Sequence, residues 1–461
     1  MAKSRTIRWG LVLLSISMCA GAQETSQGTP PTTPPAPAFG QSVPILSPEN
    51  PPVSGLDLPS LELKTVSRSF ISPALQVGES YDSNSQNSLA GSQAEGVSHV
   101  LGALDLQKFW PRSDLFLEYL GGAAFGNSPY YVRNMQAAGL EGITRWRTGQ
   151  ISVRDAFSYL PDGNFSAGSA GGLPGFGIAT GGLGLGMPGL FHQAFGSVGT
   201  IPRLSNTAVL DVVQAINPRS AVTLVGAYTN AHYYHNTAGL VDGDESTVEV
   251  GYSRLISRRD QLGLVYAAQL LRFPDSAGGE AYNNVINARW SHIITGRMSF
   301  IGGLGPQFTE VKYGISNTSV SLAARAILHY RFEHTSLTAA YEKFTSPGSG
   351  FFAGADTQRA QFTVGRPIGR TYDFAFESAF SYNKRLQPIG NAVGASSYKD
   401  GSVGAVLRKH LGRTYDAIAA YHWAVVDFNI PVTLSGSTGS VNRRQVVTVA
   451  LEWHPRAIRI E

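Results

Sequence analysis

One cysteine, Cys19, is all this chain has. It falls among the first 22 residues, so everything after them can form neither a disulfide nor a thiolate metal site. Charge is scarce as well, with Asp, Glu, Lys and Arg together only 15% of 461 residues. Past the N-terminus no apolar run approaches the roughly 18 residues that a membrane-crossing helix requires. G-x-S-x-G, H-E-x-x-H and G-x-x-x-x-G-K-[ST] are absent, so serine-hydrolase, zinc-protease and phosphate-loop chemistries lose their usual sequence support. The glycines at 181–186 are followed by neither a helix nor Lys-Ser/Thr, and cradle no phosphate. His232, His235, Asp242, Asp244 and Glu245 cluster in sequence and could hold a divalent ion, but they read more simply as loop polars. The sequence therefore predicts no enzyme, no cofactor and no metal.

What is present begins with an export signal. Lys3, Arg5 and Arg8 precede an apolar core from Leu11 to Met18, and Ala20-Gly21-Ala22 is a small-residue cleavage site. These 22 residues hold three positive charges and no acid, so their removal lowers the formal net charge from +4 to +1. The basic balance belongs largely to the signal and argues against nucleic acid as a partner. Residues 23–70 are expected to be a periplasmic linker. Pro30, Pro31, Pro34, Pro35, Pro37, Pro44, Pro48, Pro51, Pro52 and Pro59 among Thr, Ser, Gln and Gly cannot bury enough apolar surface to fold.

From residue 71 to 461 an alternation of period two takes over. Tyr372, Phe374, Phe376, Phe380 and Tyr382 fall on one face of a strand, and Asp373, Ala375, Glu377 and Ser381 on the other. Val320, Leu322, Ala324, Ala326, Leu328 and Tyr330 oppose Ser321, Arg325 and His329 in the same way. Short Arg-marked turns separate such runs: Pro111-Arg112, Arg147-Thr148-Gly149, Pro218-Arg219, Arg258-Arg259, Gly296-Arg297, Gly369-Arg370 and Gly412-Arg413. The other strand ends are joined by longer Gly/Asn/Ser/Asp-rich loops. One rim of tight turns opposite one rim of long loops describes a closed up-and-down antiparallel transmembrane β-barrel. Trp110, Trp146, Tyr159, Tyr330, Phe332, Tyr372, Tyr382, Tyr415 and Trp453 gather at strand ends, as in the aromatic girdles of a bilayer-spanning wall.

The predicted strands are 72–81, 97–110, 114–125, 131–146, 149–160, 204–216, 219–233, 245–257, 260–273, 282–295, 297–312, 316–332, 335–346, 356–368, 371–384, 397–410, 413–428 and 442–455. That makes eighteen, with sixteen as the alternative, because 131–146 and 204–216 carry the weakest pattern. An even number sets both ends of the barrel on the same side. A periplasmic linker then turns the long loops outward.

The segment 161–200 stands apart. It is glycine-rich, nearly uncharged, and carries Leu173, Phe176, Leu183, Leu185, Leu190 and Phe191. By this strand order it is the third external loop. On that architecture the chain resembles bacterial outer-membrane β-barrel proteins of the porin type. The resemblance implies that the third loop folds inward as a constriction or plug, that the barrel-assembly machinery inserts the chain into outer-membrane lipid of a Gram-negative cell, and that a homo-oligomer forms. The chain departs from that family in a loop almost without acid, and in the residues 454–461 that follow the terminal aromatic Trp453.

Parity sends Asp105, Glu118, Arg154, Glu249, Arg289, Arg325, Arg359, Asp373, Glu377, Arg408 and Glu452 inward, where such residues either line a pore or pair with one another. Mixed signs argue against strong ion selectivity. The leading expectation is a passive channel for small hydrophilic solutes, narrowed by 161–200. The alternatives are a non-conducting barrel for polymer export or surface attachment, and a secreted soluble all-β binding protein such as a propeller.

Overall fold

Two solvents on the two sides of one sheet explain why these segments are strands: each pleat turns alternate side chains to opposite surroundings. The computed structural model describes residues 69–461 apart from 87, 90–92, 127–131, 161–200, 235–239, 275–278, 314, 333, 349, 387–393, 435–436 and 461. The side chains of 118, 132, 133, 135, 160, 313, 315, 316, 434 and 437 also lie outside the described part. The signal and nearly all of the linker expected from the sequence fall outside it too.

In chain order the strands are β1 (Phe70–Asp82), β2 (Glu95–Phe109), β3 (Ser113–Gly126), β4 (Val132–Trp146), β5 (Gly149–Leu160), β6 (Arg203–Asn217), β7 (Ser220–Tyr233), β8 (Gly243–Leu255), β9 (Asp260–Phe273), β10 (Gly279–Thr295), β11 (Met298–Tyr313), β12 (Ile315–Arg331), β13 (Ser336–Ser346), β14 (Ala355–Ile368), β15 (Tyr372–Arg385), β16 (Ser397–His410), β17 (Tyr415–Leu434) and β18 (Ser437–Trp453). Each pairs antiparallel with the next, and β18 pairs back onto β1 through Leu75↔Trp453 to Asp82↔Val446. The wall is closed with eighteen strands, as the alternation predicts, and both weakly patterned segments are among them. A two-residue β19 (Ile458–Arg459) adds to the closure by pairing with Phe70 and Ile71. β17 and β18 run farther toward the long loops than their sequence pattern indicates.

The tight turns share one rim with the start of β1 and the end of β18. There Arg112, Arg147, Arg219, Arg258, Arg259, Arg297, Arg370 and Arg413 are exposed. Backbone bonds close the turns, such as Trp110 N–H to Ser113 O at 2.8 Å and Leu411 N–H to Tyr415 O at 2.9 Å. Gly412 supplies a positive φ of 122° that a side-chain-bearing residue resists. The long connections lie on the opposite, loop rim.

The two faces of the wall differ sharply. On β18, Val447, Val449 and Leu451 are exposed outward, while Val446, Thr448, Ala450 and Glu452 are buried inward. The same parity exposes Leu75 and Val77, Val248 and Val250, and Leu262, Leu264 and Tyr266. Around the turn rim the outward aromatics include Trp110, Trp146, Phe332, Tyr415 and Trp453. Tyr81, Tyr228, Tyr234 and Tyr266 lie nearer the loop rim.

One seam departs from this regularity. β12 and β13 pair over only eight residues, from Arg331↔Ser336 to Ala324↔Lys343. β13 nevertheless stays paired with β14 to its last residue, Ser346↔Ala355. Phe344, Thr345 and Ser346 are then buried in succession, which breaks the in–out alternation. The end of β13 has left the wall and entered the barrel.

Candidate functional site

The interior is built from the inward parity of every strand, and its polar groups answer one another. Arg408 on β16 donates to Asp416 on β17 at 3.1 Å and to Glu452 on β18 at 3.2 Å, and all three are buried. His410 lies 2.8 Å from Asp416 and 2.9 Å from Asp373, and His454 lies 3.3 Å from Asp416. Arg154 sits between Glu141, at 3.9 Å, and Asp211, at 3.7 Å. Arg289 on β10 forms a close pair with Glu249 on β8. It reaches across β9 because its register partner there is Gly263, whose missing side chain leaves the space. Arg325 pairs with Glu342 at 3.3 Å. Arg359 donates to Gln361 at 3.1 Å, and Gln361 to Glu377 at 3.4 Å. Asp105 accepts from Gln107 at 3.2 Å. Arg444 grips Asp82 through Nε and Nη2 across the β18–β1 closure, at 2.6–3.1 Å.

Asp105, Arg154, Glu249, Arg289, Arg325, Arg359, Asp373, Glu377, Arg408 and Glu452 therefore all belong to the inner face, most of them in pairs or clusters of opposite charge, with Asp105 held by Gln107 and Arg359 linked to Glu377 through Gln361. For Glu118 only the backbone is described; its Cα is the register partner of Asp105. Sequence reasoning missed Asp82, Glu141, Asp211, Asp416 and Arg444, although parity would have sent each of them inward. Burying an ion pair gains little stability, but leaving one partner unpaired costs several kcal/mol.

Above the polar interior, at the loop rim, lies an apolar closure. Ser346 is followed by Pro347 and Gly348, and with 349 outside the described residues, Gly350 to Gly354 lie across the barrel mouth. Gln307 on β11 donates to the Thr345 hydroxyl, and Gln269 on β9 donates to the Thr345 carbonyl at 3.4 Å. Val241 N–H donates to Gly350 O at 2.7 Å, and Leu386 N–H to Gly354 O at 3.0 Å. Gly348, Gly350 and Gly354 have φ of 86°, 80° and 84°. A Cβ on Gly350 would come within 2.5 Å of the Tyr233 ring. Phe351 and Phe352, 1% and 0% exposed, are the anchor. Phe351 meets Tyr398 and Phe428 edge-on at 5.2 Å between ring centroids, and Phe352 packs tilted against Tyr398 at 5.3 Å. Leu89, Ile201, Tyr233, Leu240, Ala395, Val426 and Val432 complete the cluster, so residues from around the loop rim meet there. A second apolar cluster adjoins it through Ala353, with Val241, Leu271, Phe273, Ala281 and Val311.

The sequence points to 161–200 as the inward-folding loop. Leu173, Phe176, Leu183, Leu185, Leu190 and Phe191 all lie outside the described residues. The overlooked signal is Phe351-Phe352, an aromatic pair flanked by three glycines in what reads as an external loop. Near residue 240, Asp242 is buried and is no solvated loop polar. It accepts from Tyr233 N–H at 2.9 Å and lies against His232. Among the described residues no group of three or more His, Cys, Asp or Glu is placed to hold a metal ion.

A closed sheet whose greasy side chains face out and whose charges face in can only be a transmembrane β-barrel, the kind that crosses the outer membrane of Gram-negative bacteria. A soluble sheet protein reverses these faces, and the propeller expectation fails because the strands form one continuous ring rather than blades. No family model matches the chain, and no curated protein matches it by sequence. Solved structures similar in fold include OpdQ of Pseudomonas aeruginosa, at 10% identity and TM-score 0.39, covering 85% of this chain and 99% of that one. The closed form of the ferric-catecholate import receptor Fiu of E. coli K12 is similar at 9% identity and TM-score 0.43, covering 87% and 85%. The siderophore receptor PiuA of Acinetobacter baumannii is similar at 9% identity and TM-score 0.39, covering 84% and 82%. The membrane assignment rests on the two faces of the wall and not on these similarities.

Proposed function

We propose that this barrel is a passive outer-membrane channel for small hydrophilic solutes, closed at its external mouth by the segment 347–354. The reading takes residues 1–22 as the export signal and 23–70 as a periplasmic linker, which turns the loop rim outward. One observation carries it. A charged, mixed-sign interior, suited to polar solutes, is capped by an apolar segment that enters from a single hairpin and is hinged at glycines. Eighteen strands enclose enough width for an aqueous path once such a cap is displaced. The assignment is to transport rather than catalysis, since most charged groups of the interior are engaged in pairs of opposite sign.

Single-channel recording in planar bilayers tests it. The double variant Phe351→Ala/Phe352→Ala is expected to conduct in larger steps than the wild type. Deleting 165–198 measures separately any share of the constriction that 161–200 holds. The shielding of the interior charges favours a second reading, a non-conducting barrel for polymer export or surface attachment. Absence of current from wild type, double variant and deletion alike would decide for it.

A further inference from the structure

We propose that the parting of β12 from β13 is a lateral portal. Through it a single-chain amphiphile with an anionic head group passes between the outer leaflet and the apolar lining of the barrel's external end. The proposal rests on the transmembrane reading and on the outward loop rim, but not on axial conduction.

The first support is where the wall parts. Pairing between the two strands ends at Ala324 and Lys343. Eight residues rising about 3.3 Å each, at a tilt near 40°, climb roughly 20 Å, short of the ~25 Å apolar band. The edge of β12 beyond Ala324 faces the outer part of that band with no strand partner among the described residues, and Val320 is 68% exposed. Bare N–H and C=O groups facing hydrocarbon cost several kcal/mol each, so a continuous lipid phase is a poor neighbour for this edge. A polar head group or its water is a better one.

The lip of the gap supplies the charge. Lys343 Nζ lies 3.8 Å from Asp356 Oδ2. Lys384 is the register partner of Asp356 on the next strand. Two ammonium groups against one carboxylate leave the lip positive near the outer edge of the apolar band, where long lysine side chains reach up to head groups, which favours an anion.

Behind the lip the lining is greasy. Val311, Leu271, Phe273 and Ala281 face inward on β11, β9 and β10, and meet Ala353 and Leu386. A path meant for hydrophilic solutes alone would be polar there. These side chains suit an acyl tail, and the gap opens one strand away from Val311.

The test uses the full chain in nanodiscs. Bimane is placed on Phe344→Cys behind the gap, on Leu322→Cys at the lipid-facing edge, and on Thr207→Cys on the inner face of β6, away from the gap. Added ω-bromododecanoate is expected to quench the probe at 344 saturably and nearly as well as at 322, and to spare the probe at 207. In Lys343→Glu/Lys384→Glu the half-quenching concentration at 344 should rise about tenfold. Quenching at 344 no greater than at 207 would overturn the portal. If Phe344→Cys fails to show heat-modifiable migration, native mass spectrometry of the unlabelled wild type decides. Dodecanoate bound equally by wild type and charge-reversed variant, or by neither, sinks the proposal. No current is read in either assay, so the outcome is independent of the conductance test.

Discussion

Gln307 on β11 hydrogen-bonds to Thr345 on β13, although β12 stands between those strands in the wall. Two strand spacings of about 4.8 Å would keep such side chains apart in a regular sheet. The bond exists because β13 slips inside the ring as it rises, and it holds the strand there together with Gln269.

Gln307→Leu or Thr345→Val should loosen this inner strand. Each leaves a buried partner unsatisfied, at about 1–3 kcal/mol, while the double replacement should cost less than the sum of the two. Hydrogen exchange of the amides at 344–346 should accelerate in both single variants. Protection in β1–β6 should stay unchanged.

Gly350→Ala should displace the cap without unfolding the wall. The residue holds a φ of 80°, where a side chain costs roughly 1–2 kcal/mol. The new methyl also meets the Tyr233 ring. More frequent opening events in bilayer recordings are expected. Gly369→Ala, at φ 68° in a turn on the opposite rim with open space around it, serves as control and should leave the current trace unaltered.

Arg408→Met should be among the most damaging single changes in the interior. It takes the arginine from buried Glu452 and leaves buried Asp416 to His410 and His454, and a loss of about 3–5 kcal/mol is expected. Arg408→Met/Asp416→Asn/Glu452→Gln should recover much of that loss, because no lone charge remains. Urea unfolding in lipid vesicles, followed by heat-modifiable migration, ranks the three proteins.

Ion preference should be weak in the opened channel and easily tilted. With Phe351→Ala/Phe352→Ala as background, Arg289→Gln removes one positive charge from the interior, and Glu249→Gln removes one negative charge. Reversal potentials under a salt gradient should shift toward cations in the first and toward anions in the second.

The ring itself was legible because lipid and lumen impose opposite demands on neighbouring residues. Tyr372 to Tyr382 could be sorted by eye for that reason, as could Val447 to Trp453. The inward candidates followed from the same parity. Their partners did not: Arg289 finds Glu249 two strands away because Gly263 vacates the space between, and no local pattern encodes that. The cap was hidden for a related reason. Phe344-Thr345-Ser346-Pro347-Gly348 reads as a strand ending in a turn, and only burial on both faces reveals that the strand has changed sides. Length and glycine content mark 161–200 in the sequence, and the described cap is a much shorter segment carrying two adjacent phenylalanines.

The junction of β1 with β18, extended by β19 onto Phe70 and Ile71, bears on how the molecule is made. The first strand to emerge must wait for the last before either edge is satisfied. Partners so distant along the chain impose a heavy loop-closure cost and slow the search. Throughout that wait an unpaired edge is open to aggregation. Closure of the ring is thus a late and slow step in assembly, and a factor that shields the waiting edge would ease it.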